Sequence, residues 1–144
     1  MKVYLDCCCY NRPYDDQTQI RISLETQAKL IIQHLIKDRT IQLVSSFVLD
    51  YENSKHSDPV TRDAIRKFIV DNEIEFVSVD SKEEVKRIAA TINANGIKPE
   101  DSAHIACAIY SKCDYFITTD DRILKYTDNR ISIVSPIEFV MEIE

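Results

Sequence analysis

Five short β-rich runs, each followed by a helical pattern, restrict this chain to an α/β fold. The runs are Lys2–Asp6, Ile41–Val44, Glu75–Val79, Asp114–Ile117 and Ile131–Val134. Strands that all point one way need long crossover connections, and the helical segments between the runs supply them. Such crossovers cover both faces of the sheet they connect. The expectation is a three-layer α/β/α sandwich around a central parallel sheet of about five strands, with right-handed crossovers. No repeat, linker or low-complexity stretch interrupts the 144 residues, so 1–144 reads as a single domain.

Local signals punctuate this order. Residues Cys7 to Asp16 read as a loop. Asp16, with Gln19 three positions on, reads as a capping box for a helix carrying Ile20, Leu24, Ala28, Ile31 and Leu35 to about Lys37. Ser45 or Ser46 caps a helix with Phe47, Val48 and Tyr51, and Asp58-Pro59 starts the next. Ser81 and Glu84 read as a second capping box. Asn95-Gly96 then stops that helix, because a left-handed C′ residue is cheapest as glycine. Pro99 and Pro136 each open a further helix.

That one glycine also excludes a function class: no Gly-rich phosphate loop of the dinucleotide or P-loop kind can be built with it. Eighteen basic and 24 acidic residues leave a net charge of −6, which argues against a protein held on nucleic acid by a broad basic surface. An enzyme that handles RNA or DNA briefly is still allowed, since acids gathered around metal ions enter the same count. No signal-peptide pattern or membrane-length apolar run is present. The five cysteines are odd in number and three are consecutive, Cys7, Cys8 and Cys9, so they read as reduced thiols in a cytoplasmic protein.

Four acids stand at the starts or exposed ends of elements: Asp6, Glu52, Asp101 and Asp120. Taken singly, each has an ordinary reading as a solvated residue or a helix cap. Asp6 and Asp120 go further, because each ends an apolar strand and enters irregular chain. Both belong at the carboxyl edge of the sheet, where open α/β folds bind ligands. Two carboxylates there repel unless a cation lies between them. Oxygen ligands of this kind suit Mg²⁺ or Mn²⁺, whereas Zn²⁺ wants His or Cys, and His34, His56 and His104 are scattered. Such ions can hold a scissile phosphate and activate water.

On these residues the chain resembles a PIN domain, the nuclease fold of VapC-type toxins. The Asp after the first strand is Asp6 in KVYLD; a Ser with a Glu six residues on is Ser46 and Glu52. The D-A-x-H-x-A pattern is approached by Asp101-Ser-Ala-His104-Ile-Ala106, and T-x-D by Thr118-Thr119-Asp120, with Asp121 adjacent. The resemblance spans essentially the whole chain. It implies the strand order 3-2-1-4-5 and a Mg²⁺- or Mn²⁺-dependent endoribonuclease with Asp6, Glu52, Asp101 and Asp120 as catalytic metal ligands. It further implies an RNA substrate, a small antitoxin partner and a homodimer.

Two features depart from the pattern or leave it open. Many relatives carry a hydroxyl or Asn two positions after the first Asp, and this chain has Cys8, a poor ligand for a hard ion. Asp50 and Glu52 lie about 200° apart on a helix, so only one can face the site, and the spacing from Ser46 favours Glu52. Asn11, Arg12 and Ser46 are candidate substrate contacts, Arg12 because guanidinium suits phosphate; Arg122 and Lys125 are weaker ones. His104 reads as a packing or hydrogen-bonding residue within the fold, and Cys107 and Cys113 as small core residues. Two alternatives stand beside the nuclease: a non-catalytic PIN-like binding module, and a haloacid-dehalogenase-type phosphatase, whose second Asp would fall where Cys8 stands.

Overall fold

The computed structural model describes residues 1–144. Strands β1 (Lys2–Leu5), β2 (Gln42–Ser46), β3 (Glu73–Val77), β4 (Tyr115–Ile117) and β5 (Ser132–Val134) pair in parallel throughout, in the order β3-β2-β1-β4-β5. On the central strand Val3, Tyr4 and Leu5 are fully buried, as in a strand covered on both faces.

Eight helices complete the sandwich: α1 (Cys7–Asn11), α2 (Ile20–Lys37), α3 (Phe47–Ser54), α4 (Pro59–Asn72), α5 (Lys82–Asn93), α6 (Pro99–Tyr110), α7 (Asp121–Leu124) and α8 (Pro136–Ile143). The chain moves outward from β1 through β2 to β3, then jumps back across the sheet to β4. Right-handed crossovers therefore place the α5–α6 pair on the face opposite α2. The reversal makes the gap between β1 and β4 the topological switch point.

The caps explain several boundaries. The Ser46 hydroxyl accepts the Leu49 N–H at the start of α3, and Asp58 accepts the Val60 N–H ahead of Pro59. Ser135 and Glu138 close a reciprocal capping box on α8. Gly96 lies at φ 92°, in the left-handed region where a side chain is strained.

Three local expectations are corrected. Residues 7–14 are not a loop: they form α1 and a 3-10 turn over Arg12–Tyr14. The Asp16–Gln19 box does not form, because Asp16 turns onto the N–H and hydroxyl of Thr18 and leaves Gln19 without a capping bond. Ser81 likewise makes no cap, since Val79–Ser81 is a 3-10 turn held by the Ser78 hydroxyl on the Asp80 N–H. No helix is long and apolar enough to cross a membrane.

Candidate active site

The carboxyl ends of β1 and β4 carry the first pair of acids. Asp6 follows β1 and is only 6% exposed. Its Oδ1 accepts the Cys7 N–H at 2.8 Å, capping α1, and its Oδ2 accepts the Thr118 hydroxyl at 2.8 Å. The Thr118 oxygen in turn accepts the Asp120 N–H at 3.1 Å. One threonine side chain thus links the residue after β1 to the residue that starts α7. Asp120 caps α7 through the Arg122 N–H at 2.9 Å.

The other two acids approach from helices. Glu52 stands on α3, its side chain 38% exposed, and its Oε2 lies 2.9 Å from His104 Nε2 on α6. Asp101 sits in the first turn of α6, half-buried and one turn before His104. Burial raises the Asp101 pKa first, and repulsion from Asp6, Asp120 and Glu52 raises it further, with His104 opposing. Asp101 therefore feels the other three carboxylates. The Glu52 carboxyl is held below its ordinary range, chiefly by the hydrogen bond from His104. Burial alone would depress the pKa of His104, but that bond and the fields of Asp6, Glu52 and Asp101 raise it.

The donor chemistry fits a hard divalent cation: four carboxylates, with the proton affinity of Asp101 raised by burial and by the other three. Exposed Arg122 reaches within 3.6 Å of Asp120 Oδ1. No three of these acidic side chains stand close enough together to form a metal-holding group, and Asp6, Asp120 and Glu52 each have an oxygen on a cap or on His104. A shallow groove of about 270 Å³ runs alongside, between α3 and α6, lined by Val48, Tyr51, Glu52, Pro99, Ala103 and His104.

The neighbouring candidates separate by their partners. Asp50 is exposed and lines a different groove with Arg62 and Arg66. Asp121 is held by both outer nitrogens of Arg21, each at 2.8 Å, and turns away from the cluster. Arg12 donates to Glu25 at 2.8 Å and to Asp15 at 2.7 Å, so its guanidinium is occupied within the fold. Asn11 is partly buried with its Oδ1 unpartnered. Arg122 and Lys125 are exposed. Cys8 Sγ accepts the Thr119 N–H at 3.3 Å and lies 3.5 Å from Asp6 Oδ2, placing its thiol among the groups that hold Asp6. Cys107 and Cys113 are buried in the core, as expected.

Residues absent from the sequence reading also shape the site. Arg21 bridges buried Glu25, Asp121 and the Thr119 carbonyl, clamping the Asp120 loop to α2. Tyr4 bonds both Ser46 and His104. The available signal for Tyr4 was a hydroxyl inside an otherwise apolar strand, since a buried Tyr O–H needs a partner.

A five-stranded parallel α/β/α sandwich in the order β3-β2-β1-β4-β5, with acids at the carboxyl edge of its switch point, defines the PIN-like class of fold. The PIN domain family model matches residues 10–129, and the chain belongs to that family. It is also similar in fold to a chain in the crystal structure of VapBC2 from Rickettsia felis bound to a DNA fragment from their promoter. The TM-score is 0.55 at 12% identity, over 92% of this chain and 97% of that one. No curated protein sequence matches this chain.

Proposed function

We propose that this chain is a Mg²⁺- or Mn²⁺-dependent endoribonuclease and the toxin of a toxin–antitoxin pair. The observation that carries the catalytic reading is the placement of Asp6, Asp120 and Glu52 close enough to Asp101 that their repulsion adds to burial in raising its proton affinity. A structural role would not favour such repulsion, whereas a divalent cation would relieve it. When bound, that ion supplies positive charge for a phosphodiester and water of lowered pKa. Asp6, Glu52, Asp101 and Asp120 would hold it.

The protein's own part is positioning. Thr118 fixes Asp6 against the Asp120 loop, His104 fixes Glu52, and Asp101 lacks any side-chain hydrogen bond that a ligand would have to displace. Ser46 acts through the α3 cap. Asn11 and Arg12 are the candidate substrate contacts after Asp6, with Arg12 reaching a phosphate only by exchanging Asp15 or Glu25. The family assignment and the fold shared with the VapBC2 chain support an antitoxin partner and, with it, a homodimer. The free thiols support a cytoplasmic setting.

The test is incubation of the purified protein with structured and single-stranded RNAs in Mn²⁺, Mg²⁺ or chelator, beside Asp6→Asn and Asp101→Asn. Cleavage that needs metal and disappears in both variants is the expected outcome. Activity that persists in both variants, or in chelator, would sink the proposal. Light scattering of the purified protein checks the dimer.

A further inference from the structure

A buried chain of polar side chains begins and ends on the same helix. Ser46 Oγ accepts the Leu49 N–H at 3.1 Å and lies 2.6 Å from the Tyr4 hydroxyl. The Tyr4 hydroxyl lies 2.8 Å from His104 Nδ1, and His104 Nε2 lies 2.9 Å from Glu52 Oε2. Ser46, Tyr4 and His104 are all essentially inaccessible to solvent, so they must satisfy one another.

The protons can be placed by elimination. A carboxylate only accepts, so His104 Nε2 carries the proton facing Glu52. In the neutral ring, Nδ1 is then an acceptor, and the Tyr4 O–H is the donor within reach. The Tyr4 oxygen accepts the Ser46 O–H, and the Ser46 oxygen accepts the Leu49 N–H. Each hydroxyl proton is used once, and all donations run toward Glu52. The opposite tautomer would aim a ring lone pair at the carboxylate.

The path leaves α3 at its cap, crosses β1 and α6, and returns to α3 six residues later. Tyr4 lies two residues before Asp6 on the same side of β1, and His104 lies one turn after Asp101. Tyr4 also stacks on Phe116 of β4, with ring centroids 5.5 Å apart and planes at 15°. We infer that Tyr4, His104 and Ser46 are positioning residues that fix the Glu52 carboxylate and the spacing of the elements bearing Asp6 and Asp101. This inference rests on the reading of Glu52 as a metal ligand.

Tyr4→Phe keeps the ring and its stack on Phe116 while deleting the proton aimed at His104. Groups that orient metal ligands typically contribute 10–100-fold in affinity or activity. Calorimetric titration of Mn²⁺ into Tyr4→Phe is therefore expected to show binding weakened about tenfold or more. RNA cleavage should lose kcat by a similar factor at nearly unchanged KM. His104→Gln, which retains an N–H donor, should recover part of what His104→Leu loses. Long-range ¹H–¹⁵N spectra at alkaline pH give a readout independent of metal, with His104 expected as the Nε2–H tautomer. The Nδ1–H tautomer, or unchanged Mn²⁺ affinity in Tyr4→Phe and His104→Leu, overturns the inference. If the wild type takes up no Mn²⁺, the metal reading of Glu52 fails, and the tautomer alone decides whether the chain of donors exists.

Discussion

Replacing Lys29 with Met is expected to stabilise the fold by an amount that depends on pH. Lys29 lies on α2 with 5% of its surface exposed. Its Nζ donates to Gln33 Oε1 at 2.7 Å and sits 5.6 Å from the Tyr10 ring centroid and 5.2 Å from that of Phe68. Its hydrogen-bonding partner is an amide, and no carboxylate forms an ion pair with it. Burial therefore prevails and lowers its pKa from 10.5 to about 8. Between those two values the unfolded chain binds more protons, so stability rises with pH there and the full penalty stands below the folded value. The gap between 10.5 and 8, at about 1.4 kcal/mol per pH unit, is a penalty of about 3 kcal/mol at pH 7. By pH 9 it shrinks to about 2 kcal/mol. Met keeps most of the side-chain volume but loses the bond to Gln33, worth about 1 kcal/mol, and the contact of a cation with two rings, worth about as much. The net gain at pH 7 is then about 1–2 kcal/mol. Urea unfolding of both proteins at pH 7 and pH 9 isolates Lys29, because shared titrations cancel in the difference. The advantage of Lys29→Met should fall by about 1 kcal/mol between the two pH values. A difference that stays constant with pH would refute the reasoning.

The site yields further expectations. Asp101→Asn removes a carboxylate repelled by three others, so without metal it should unfold at equal or higher temperature than wild type. Saturating Mn²⁺ at a hundredfold over Kd should stabilise the wild type by about 2.7 kcal/mol and this variant far less, read by thermal melts. Arg21→Gln frees the Thr119 carbonyl and Asp121 and leaves buried Glu25 with Arg12 alone; cleavage should drop about tenfold, and stability should fall by about 2 kcal/mol, set by Glu25 because the exposed Asp121 pair contributes little. Arg12→Ala leaves buried Glu25 with one partner and should cost about 2 kcal/mol in urea unfolding. An Arg12→Ala protein as stable as wild type, but weak in RNA binding, would instead return Arg12 to the role of phosphate contact.

The sheet was legible because its signals are local: apolar runs of strand length and helical patterns between them. Boundaries were blurred where one rule competed with another. The alternation in Glu75–Val79 predicts a strand there, yet β3 is Glu73–Val77, because the Ser78 hydroxyl draws residues 79–81 into a 3-10 turn. In Cys7–Asn11 a five-residue helix is too short for a 3.6-residue period to show. Helical geometry says only that Asp50 and Glu52 cannot both face the site; the preference for Glu52 came from the Ser–Glu spacing of the family the chain resembles, and the structure has Glu52 against His104 and Asp50 exposed. The links from Thr118 to Asp6 and from Tyr4 to His104 span about a hundred residues, and no local pattern encodes them. Arg12 shows the reverse problem. Its position after Asp6 suggested a ligand contact, while its partner Glu25 lay one helix away.

The strand order β3-β2-β1-β4-β5 also imposes a timetable. β1 leaves the ribosome first, but its neighbour β4 is made more than a hundred residues later. A nascent chain that ends before residue 101 holds Asp6 and Glu52 with neither Asp101 nor Asp120, and one edge of β1 is still unpaired. The acidic cluster can therefore form only after the chain has been translated past residue 120. Products truncated before that point carry an incomplete site, as does any fragment cut between β2 and β4.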